Sequence, residues 1–391
     1  MGNIWTLVTG LNDLAMVLWM QGQLHQARAL FEEALAEACR QGARSLGYIA
    51  RMEAGLANIL YEQNELEDAS RLLADAMVHI RLWPNPNHLA YAYALQSRLL
   101  LAQGDLQGAR ASIAEADSVR RSSALTRFNR RLVETNLIQV WLALQVTGGN
   151  LDSNDQIIDQ AKELVIEWEG ELTKPIENTA MRMDDSAEMA ALGLARVFQA
   201  AGQFKEALSL VERAAQSARV VGHRGGLISS LLLNAIARKQ TTADPGGQPP
   251  PALAALEEAL SLAEPGGYVR IFLDEGKPVQ MLIAQWLALA RTGPLRTYAI
   301  RLLSHFNLEP DATITVQERG PQAGNLVEPL SRRELEVLHL LALGRTNQEI
   351  ASQFVIALGT VKAQTANIYR KLDVTNRTEA VARARQIGIL P

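Results

Sequence analysis

Small and apolar residues return along most of this chain at fixed offsets: a Gly or Asn, an apolar residue two positions on, Ala five on and Ala twelve on. Gly22, Leu24, Ala27 and Ala34 set the pattern, which recurs at Asn64, Leu66, Ala69, Ala76, at Gly104, Leu106, Ala109, Ala116, and at Gly202, Phe204, Ala207, Ala214. Degenerate copies stand at Gly149, Leu151 and at Ala252, Ala259, and the first two spacings are 42 and 40 residues. Each unit is predicted to be two helices joined at the Gly or Asn. Ala27 and Ala34 let neighbouring helices approach closely, and Leu24 and Leu30 fill the seam. A unit this short cannot bury its apolar face alone, so the units are expected to stack into a solenoid. The alternative is an irregular helical bundle.

The pattern resembles a tetratricopeptide repeat, with a period longer than that family's usual one of about 34 residues. Two stretches interrupt it. The run 241–251, with four prolines and two glycines, cannot continue a helix and predicts a mobile loop inside the last repeat. The run 309–329 mixes Pro, Gly and polar residues around a β-prone Thr313 to Val316 and predicts a linker. The expected organisation is therefore a repeat domain over 1–308, a linker over 309–329 and a terminal domain over 330–391.

The terminal segment changes rhythm to four short helices. Three of them open on a capping box: Ser331 with Glu334, Thr346 with Glu349, and Asn376 with Glu379. Leu335, Leu338 and Leu341 share one face of the first helix, which stops at Gly344, and Ile350 and Phe354 point inward from the second. The third begins near Thr360 and places Val361, Thr365, Ile368 and Leu372 on its core side. Ala363, Ala366 and Arg370 then lie on the opposite face, with Lys362 at its edge. Such a face can enter a major groove, because Ala permits close approach while Lys and Arg meet phosphates or guanine edges. It is also what a solvated helix face looks like.

Composition agrees with helices. The chain has 391 residues, enough for two or three domains, and 48% of them are hydrophobic but only 5% aromatic. With Ala and Leu dominant, the expected fold class is all-α. One cysteine, Cys39, excludes an internal disulfide framework and a Cys-rich zinc site. The N-terminus has no signal-peptide pattern and no apolar run is long enough to span a membrane, which predicts a cytoplasmic protein. From residue 331 onward nine Lys and Arg face five acids, a net +4 that leaves −8 for the first 330 residues. A basic module on an acidic body is the charge pattern of a nucleic-acid binder. The six histidines have no metal spacing, and no catalytic elbow or phosphate-binding loop occurs. No enzymatic activity, metal or cofactor is expected.

The stretches Leu330-Ser-Arg-Arg-Glu-Leu-Glu-Val-Leu, Gly344-Arg-Thr-Asn-Gln-Glu-Ile-Ala, Thr360-Val-Lys, Asn367-Ile-Tyr-Arg-Lys-Leu and Asn376-Arg-Thr-Glu-Ala resemble the LuxR-type helix-turn-helix from end to end. The resemblance implies that the third helix is the recognition helix. Lys362, Ala363 and Ala366 would then lie near base edges, with Thr346, Asn347, Thr360 and Arg370 near phosphates. It also implies pairing of two copies through the last helix, whose Ala380, Val381 and Ala384 fall at helical spacing. The same residues could instead complete the domain's own core. Two positions depart from the family pattern: Ala357 stands where a capping Ser is usual and Gln364 where His is common. Arg377 is expected to pair with an acid of the first helix or with a phosphate.

The run Gly266-Gly-Tyr-Val-Arg-Ile-Phe-Leu-Asp-Glu-Gly276 resembles the junction of MalT-like regulators, the large ATP-binding LuxR class. That class carries a nucleotide-binding switch domain, whose Gly-x-x-x-x-Gly-Lys-Ser/Thr signature this chain lacks. The chain is expected to be either a truncated member or a piece of a larger one, and not to bind nucleotide. The implied function is a transcription regulator that binds double-stranded DNA as a homodimer and engages RNA polymerase. The repeats would receive a small-molecule or protein signal. A repeat scaffold with vestigial DNA binding is the alternative.

Overall fold

A computed structural model describes residues 4–40, 47–148, 185–241, 250–289 and 292–306, and in the terminal segment parts of 337–349 and 361–386. The chain divides into two compact units, Met1–Ile314 and Thr315–Pro391. The described residues form helices and turns, with no strand among them.

The first unit is built of helix pairs: α1 (Ile4–Met20) with α2 (Leu24–Arg40), α3 (Gly47–Glu62) with α4 (Leu66–Leu82), and α5 (Pro86–Ala102) with α6 (Leu106–Ser122). After α7 (Arg127–Gly148) come α8 (Asp185–Ala200) with α9 (Phe204–Val221), then α10 (Arg224–Thr241) with α11 (Pro251–Ala263). The predicted Gly or Asn is the hinge of each clear copy. Gly22, Asn64, Gly104 and Gly202 have φ of 74°, 64°, 80° and 75°, the left-handed conformation that Gly adopts freely and Asn tolerates. In all four turns the next residue's N–H returns to the carbonyl five residues back, as in Gln23 to Leu18 at 2.8 Å and Gln203 to Phe198 at 2.7 Å. One closing motif thus satisfies the same orphan carbonyls in every copy. The paired alanines Ala27, Ala34, Ala69, Ala76, Ala109, Ala116, Ala207 and Ala214 are fully buried, as their role in close helix approach requires. Leu24 is fully buried and Leu30 partly so.

Helix α10 ends at Thr241 and α11 opens on Pro251, a proline at the first helical position, where its missing N–H costs nothing. Positions 242–249, the Gly149–Leu151 copy and the linker at 309–329 lie outside the described residues. Beyond α11 the pairing rhythm stops. Residues Glu264–Gly266 make one 3-10 turn, and α12 (Arg270–Leu273), α13 (Lys277–Leu289) and α14 (Pro294–Phe306) follow. This last stretch packs on the first two repeats. The Val269 N–H donates to the Glu62 carbonyl at 2.7 Å, and a Cβ on Gly266 would stand 2.7 Å from the Gly22 carbonyl oxygen. The Trp19 ring meets the His223 ring at 6.2 Å, so α1 also reaches the start of α10. The repeat stack therefore curves until its end meets its beginning.

Candidate functional site

In the terminal unit Val337, Leu338, Leu341, Val361, Ile368, Leu372, Ala380 and Ala384 form one buried cluster. The third helix turns the expected side inward: Val361, Thr365, Ile368 and Leu372 are all buried, and the Thr365 hydroxyl donates to the Val361 carbonyl at 2.8 Å. Arg370 is exposed, as its position away from that face requires. Thr360, Lys362, Ala363 and Ala366 lie outside the described residues, as do Leu335, Ile350, Phe354, Ala357 and Gln364.

Thr346 forms the expected capping box. Its hydroxyl accepts from the Glu349 N–H at 3.2 Å, while its own N–H and hydroxyl donate to Glu349 Oε2 at 2.7 and 3.0 Å. The Thr346 N–H and hydroxyl hold the Glu349 carboxyl below the usual carboxylate range. Asn347, half-buried, begins the helix that this box opens. Thr346→Ala should lower the melting free energy of the terminal unit by about 1 kcal/mol, since the cap supplies a side-chain acceptor for a free N–H. Superimposable urea melts would contradict that role. Asn376 caps the last described helix, α15 (Arg377–Gln386), by accepting from the Glu379 N–H at 3.0 Å.

Helix α15 packs on the rest of the terminal unit through small residues and one cation. Ala380 and Ala384 have no accessible surface: they sit against the first and third helices and complete the unit's own core. Val381, half-buried at the edge of that core, is the one member of the expected seam that keeps any surface. Four short helices need inward positions from each of them, and the small-residue stripe that suits a dimer seam also suits a tight core. Arg377 reaches the first helix. Its guanidinium donates to the Leu341 carbonyl at 2.5 Å, near the end of the first helix, where a cation also complements the helix dipole.

The curved repeat unit holds a half-open cavity of about 180 Å³. Its wall is drawn from the first helix of successive pairs and from the 268–275 stretch, and includes Trp19, Glu62, Tyr91, Arg98, Arg196 and Tyr268. A charge network ties these elements together. Arg98 bridges Glu62 at 3.1 Å and Asp274 at 3.4 Å, and its guanidinium lies 4.3 Å from the centre of the Tyr61 ring. Asp274 also accepts from the Tyr61 hydroxyl at 2.7 Å and pairs with Arg270 at 2.6 Å, while Arg196 pairs with Glu275. Burial alone would raise the Asp274 carboxyl, but Arg270, Arg98 and the Tyr61 hydroxyl outweigh it and hold the group low. Burial wins at Glu62, whose carboxyl is raised despite Arg98.

None of these cavity residues was singled out from the sequence by its chemistry. They come from elements as far apart in the chain as Trp19 and Glu275, and the only signal was the Gly266 to Gly276 run. Two histidines pair with carboxylates of neighbouring helices: His79 with Glu53 at 2.7 Å and His223 with Glu188 at 2.9 Å.

The family described as MalT-like TPR region matches residues 2–289, and bacterial regulatory proteins of the luxR family match residues 328–384. The HTH-type transcriptional regulator MalT of Yersinia enterocolitica is 25% identical over 343 residues, which cover 83% of this chain and 34% of that protein. MalT of Yersinia pestis matches with the same identity and coverage. The chain thus spans about a third of the length of the curated relatives it matches. Among solved structures, the signal transduction ATPase with a tetratricopeptide repeat sensor from Pyrococcus horikoshii aligns with 76% of this chain and 44% of its own, at 14% identity and a TM-score of 0.41. No described helix is long and apolar enough to cross a membrane. With a family match that takes in most of its length and a second over its terminal unit, this chain belongs to the MalT-like family of TPR-containing, LuxR-type regulators.

Proposed function

We propose that the chain is a cytoplasmic DNA-binding transcription regulator, in which the terminal unit binds double-stranded promoter DNA and the repeat unit receives an effector. The observation that carries this reading is the third helix of the terminal unit. Its four core-side residues are buried while Arg370 is exposed, so one face is committed to packing and Arg370 is turned away from it, the arrangement a groove-reading helix requires. On this reading Lys362, Ala363 and Ala366 approach base edges, and Thr346, Asn347, Thr360 and Arg370 approach phosphates. The protein acts by binding, with RNA polymerase as the partner that reads its position on DNA. The printed names of its relatives, HTH-type transcriptional regulators, support the same assignment. A homodimer on DNA remains part of the proposal, with the exposed side of α15, around Thr378 and Ala382, in place of the buried alanines.

Lys362→Ala tests the interface. If Lys362 reads a base, the variant loses about 1–3 kcal/mol on the cognate promoter and little on unrelated duplex. If it meets a phosphate, affinity falls on all sequences and the slope of log affinity against log salt flattens by about one. Unchanged gel-shift titrations on both duplexes across salt would reject either role.

A further inference from the structure

The charged side chains that line the cavity are matched within the protein. Arg98 lies between Glu62 and Asp274, Arg270 also pairs with Asp274, and Arg196 holds Glu275. The carboxylates of Glu62, Asp274 and Glu275 are thus balanced by the guanidinium groups of Arg98, Arg196 and Arg270. His223 pairs with Glu188 at 2.9 Å. The wall therefore asks for no net charge from a ligand, and a lone ion would enter it without a counter-charge.

Several neutral polar groups of the same wall are not matched. Thr135 and Asn136 donate to carbonyls of their own helix at 2.5 and 2.9 Å. By contrast, the side chains of Asn58, Gln139 and Ser229 and the hydroxyls of Tyr91 and Tyr268 line the cavity with no hydrogen-bond partner among the described residues. Asn58, on α3, is only 7% exposed, and a buried polar group without a partner calls for a cause. Its amide is not among the unpartnered atoms sealed inside the protein, so the little surface it keeps belongs to the cavity it lines. Burial pushes the Tyr91 phenol up to about 12 and raises that of Tyr268 as well, so both remain O–H donors at neutral pH.

The rest of the wall restricts the shape of what can bind. Trp19 and Phe128 contribute rings, and Leu95, Leu192 and Ile271 aliphatic surface. The free space of about 180 Å³ far exceeds the roughly 10–15 Å³ that one water needs, and it has room for a small ring. A primary amide offers an N–H donor and a C=O acceptor side by side in one plane. Its complement is a ring with a cis-amide edge, an N–H next to a C=O, which two parallel hydrogen bonds can read as Asn and Gln read the edge of a base. Flat apolar faces on such a ring suit the aromatic side chains. A sugar carries hydroxyls around its whole rim and would bury some of them against the rings and aliphatic surface.

We infer that the cavity binds a small uncharged ring with a cis-amide edge, a free nucleobase or a cyclic dipeptide. The ring N–H donates to Asn58 Oδ1 and the neighbouring ring C=O accepts from Asn58 Nδ2, with the Tyr and Ser hydroxyls left for its other polar atoms. The inference rests on the reading that the repeat unit receives an effector, and it gives that effector a chemical class.

The test is calorimetric titration of the full chain with uracil, hypoxanthine, cyclic diglycine, the N-methylated 1,3-dimethyluracil and dimethylated cyclic diglycine, and a neutral disaccharide. At least one ring with a free cis-amide edge is expected to bind, and blocking its N–H by methylation to weaken it at least about tenfold, with a similar factor for Asn58→Leu. Binding of bases, of the cyclic dipeptide or of both supports the proposal and identifies the source. An N-methylated ring that binds as well as its parent overturns it, because no amide edge is then being read. Asn58→Leu that keeps its melting temperature and full affinity overturns it too. The methylation comparison is made on the wild type and decides the matter even if that variant fails to fold. Saturable binding of the disaccharide with no ring bound overturns the proposal while leaving the effector reading intact, and binding of no probe also overturns it. Duplex-DNA affinity of the same preparations shows separately whether the protein is competent as a regulator.

Discussion

Ala384→Glu is expected to unfold the terminal unit and abolish DNA binding, with the repeat unit left folded. Ala384 has no accessible surface and packs in the cluster with Leu338, Leu341 and Ile368, so a glutamate there must both overpack the core and bring a carboxylate into it. Overpacking costs about 1–3 kcal/mol and burial of an unpaired polar group adds at least a similar amount. A unit of this size has a total margin of only roughly 5 kcal/mol. The control is Ala382→Glu on the exposed side of the same helix, which should shift stability by no more than about 0.5 kcal/mol. Calorimetry of the full chain should show the terminal transition lost in the first variant and kept in the second. An Ala384→Glu protein that keeps this transition and loses only cooperative occupation of two half-sites would mean that Ala384 faces a second copy after all.

Asp274→Ala should destabilise the repeat unit by about 3 kcal/mol or more, the usual cost of removing one partner from a buried ion pair. The variant leaves the Tyr61 hydroxyl and the Arg270 guanidinium without their partner at 2.7 and 2.6 Å, and removes one of two carboxylates held by Arg98. These groups join the last stretch of the unit to α3 and α5, so limited proteolysis near 264–276 should accelerate along with the fall in melting temperature. The effect is pH-dependent. The Asp274 carboxyl is held below its ordinary value in the folded protein, so its contribution is fully present above about pH 4, the unfolded value. It fades as pH falls through the lower folded value, and melting curves of the wild type and the variant should converge there. Equal melting temperatures at neutral pH would show that the closure does not depend on this carboxylate.

Local signals in the sequence carried the repeat architecture well. The offset from Gly22 to Ala27 and Ala34 encodes a left-handed hinge followed by two close-packed helix positions, and both are consequences of backbone sterics and side-chain size within one unit. The inward face of the third helix of the terminal unit was equally legible, because Val361, Thr365, Ile368 and Leu372 follow a helical period and period alone decides which side turns inward. What local pattern could not decide was partner choice. The stripe Ala380 and Ala384 is compatible with a dimer seam and with a monomer core, and only the folded unit shows both residues buried beside Leu338 and Ile368. The cavity was illegible for a different reason: Tyr61 and Asp274 meet only because the repeat stack curves through five or more helix pairs, and no spacing in the chain records that accumulated angle. Curvature of a solenoid is a sum of small rotations between neighbours, each set by packing detail.

The most direct test of the central claim is the salt dependence of full-chain binding to duplex DNA carrying an imperfect inverted repeat, measured by fluorescence anisotropy and set against a scrambled duplex. The account predicts that log affinity falls linearly with log salt on both duplexes, as phosphate contacts release counterions, with the inverted repeat bound more tightly at every salt concentration. Affinity that is undetectable at low salt, or that does not change with salt, would contradict a DNA-binding role for the terminal unit and leave the chain as a repeat scaffold.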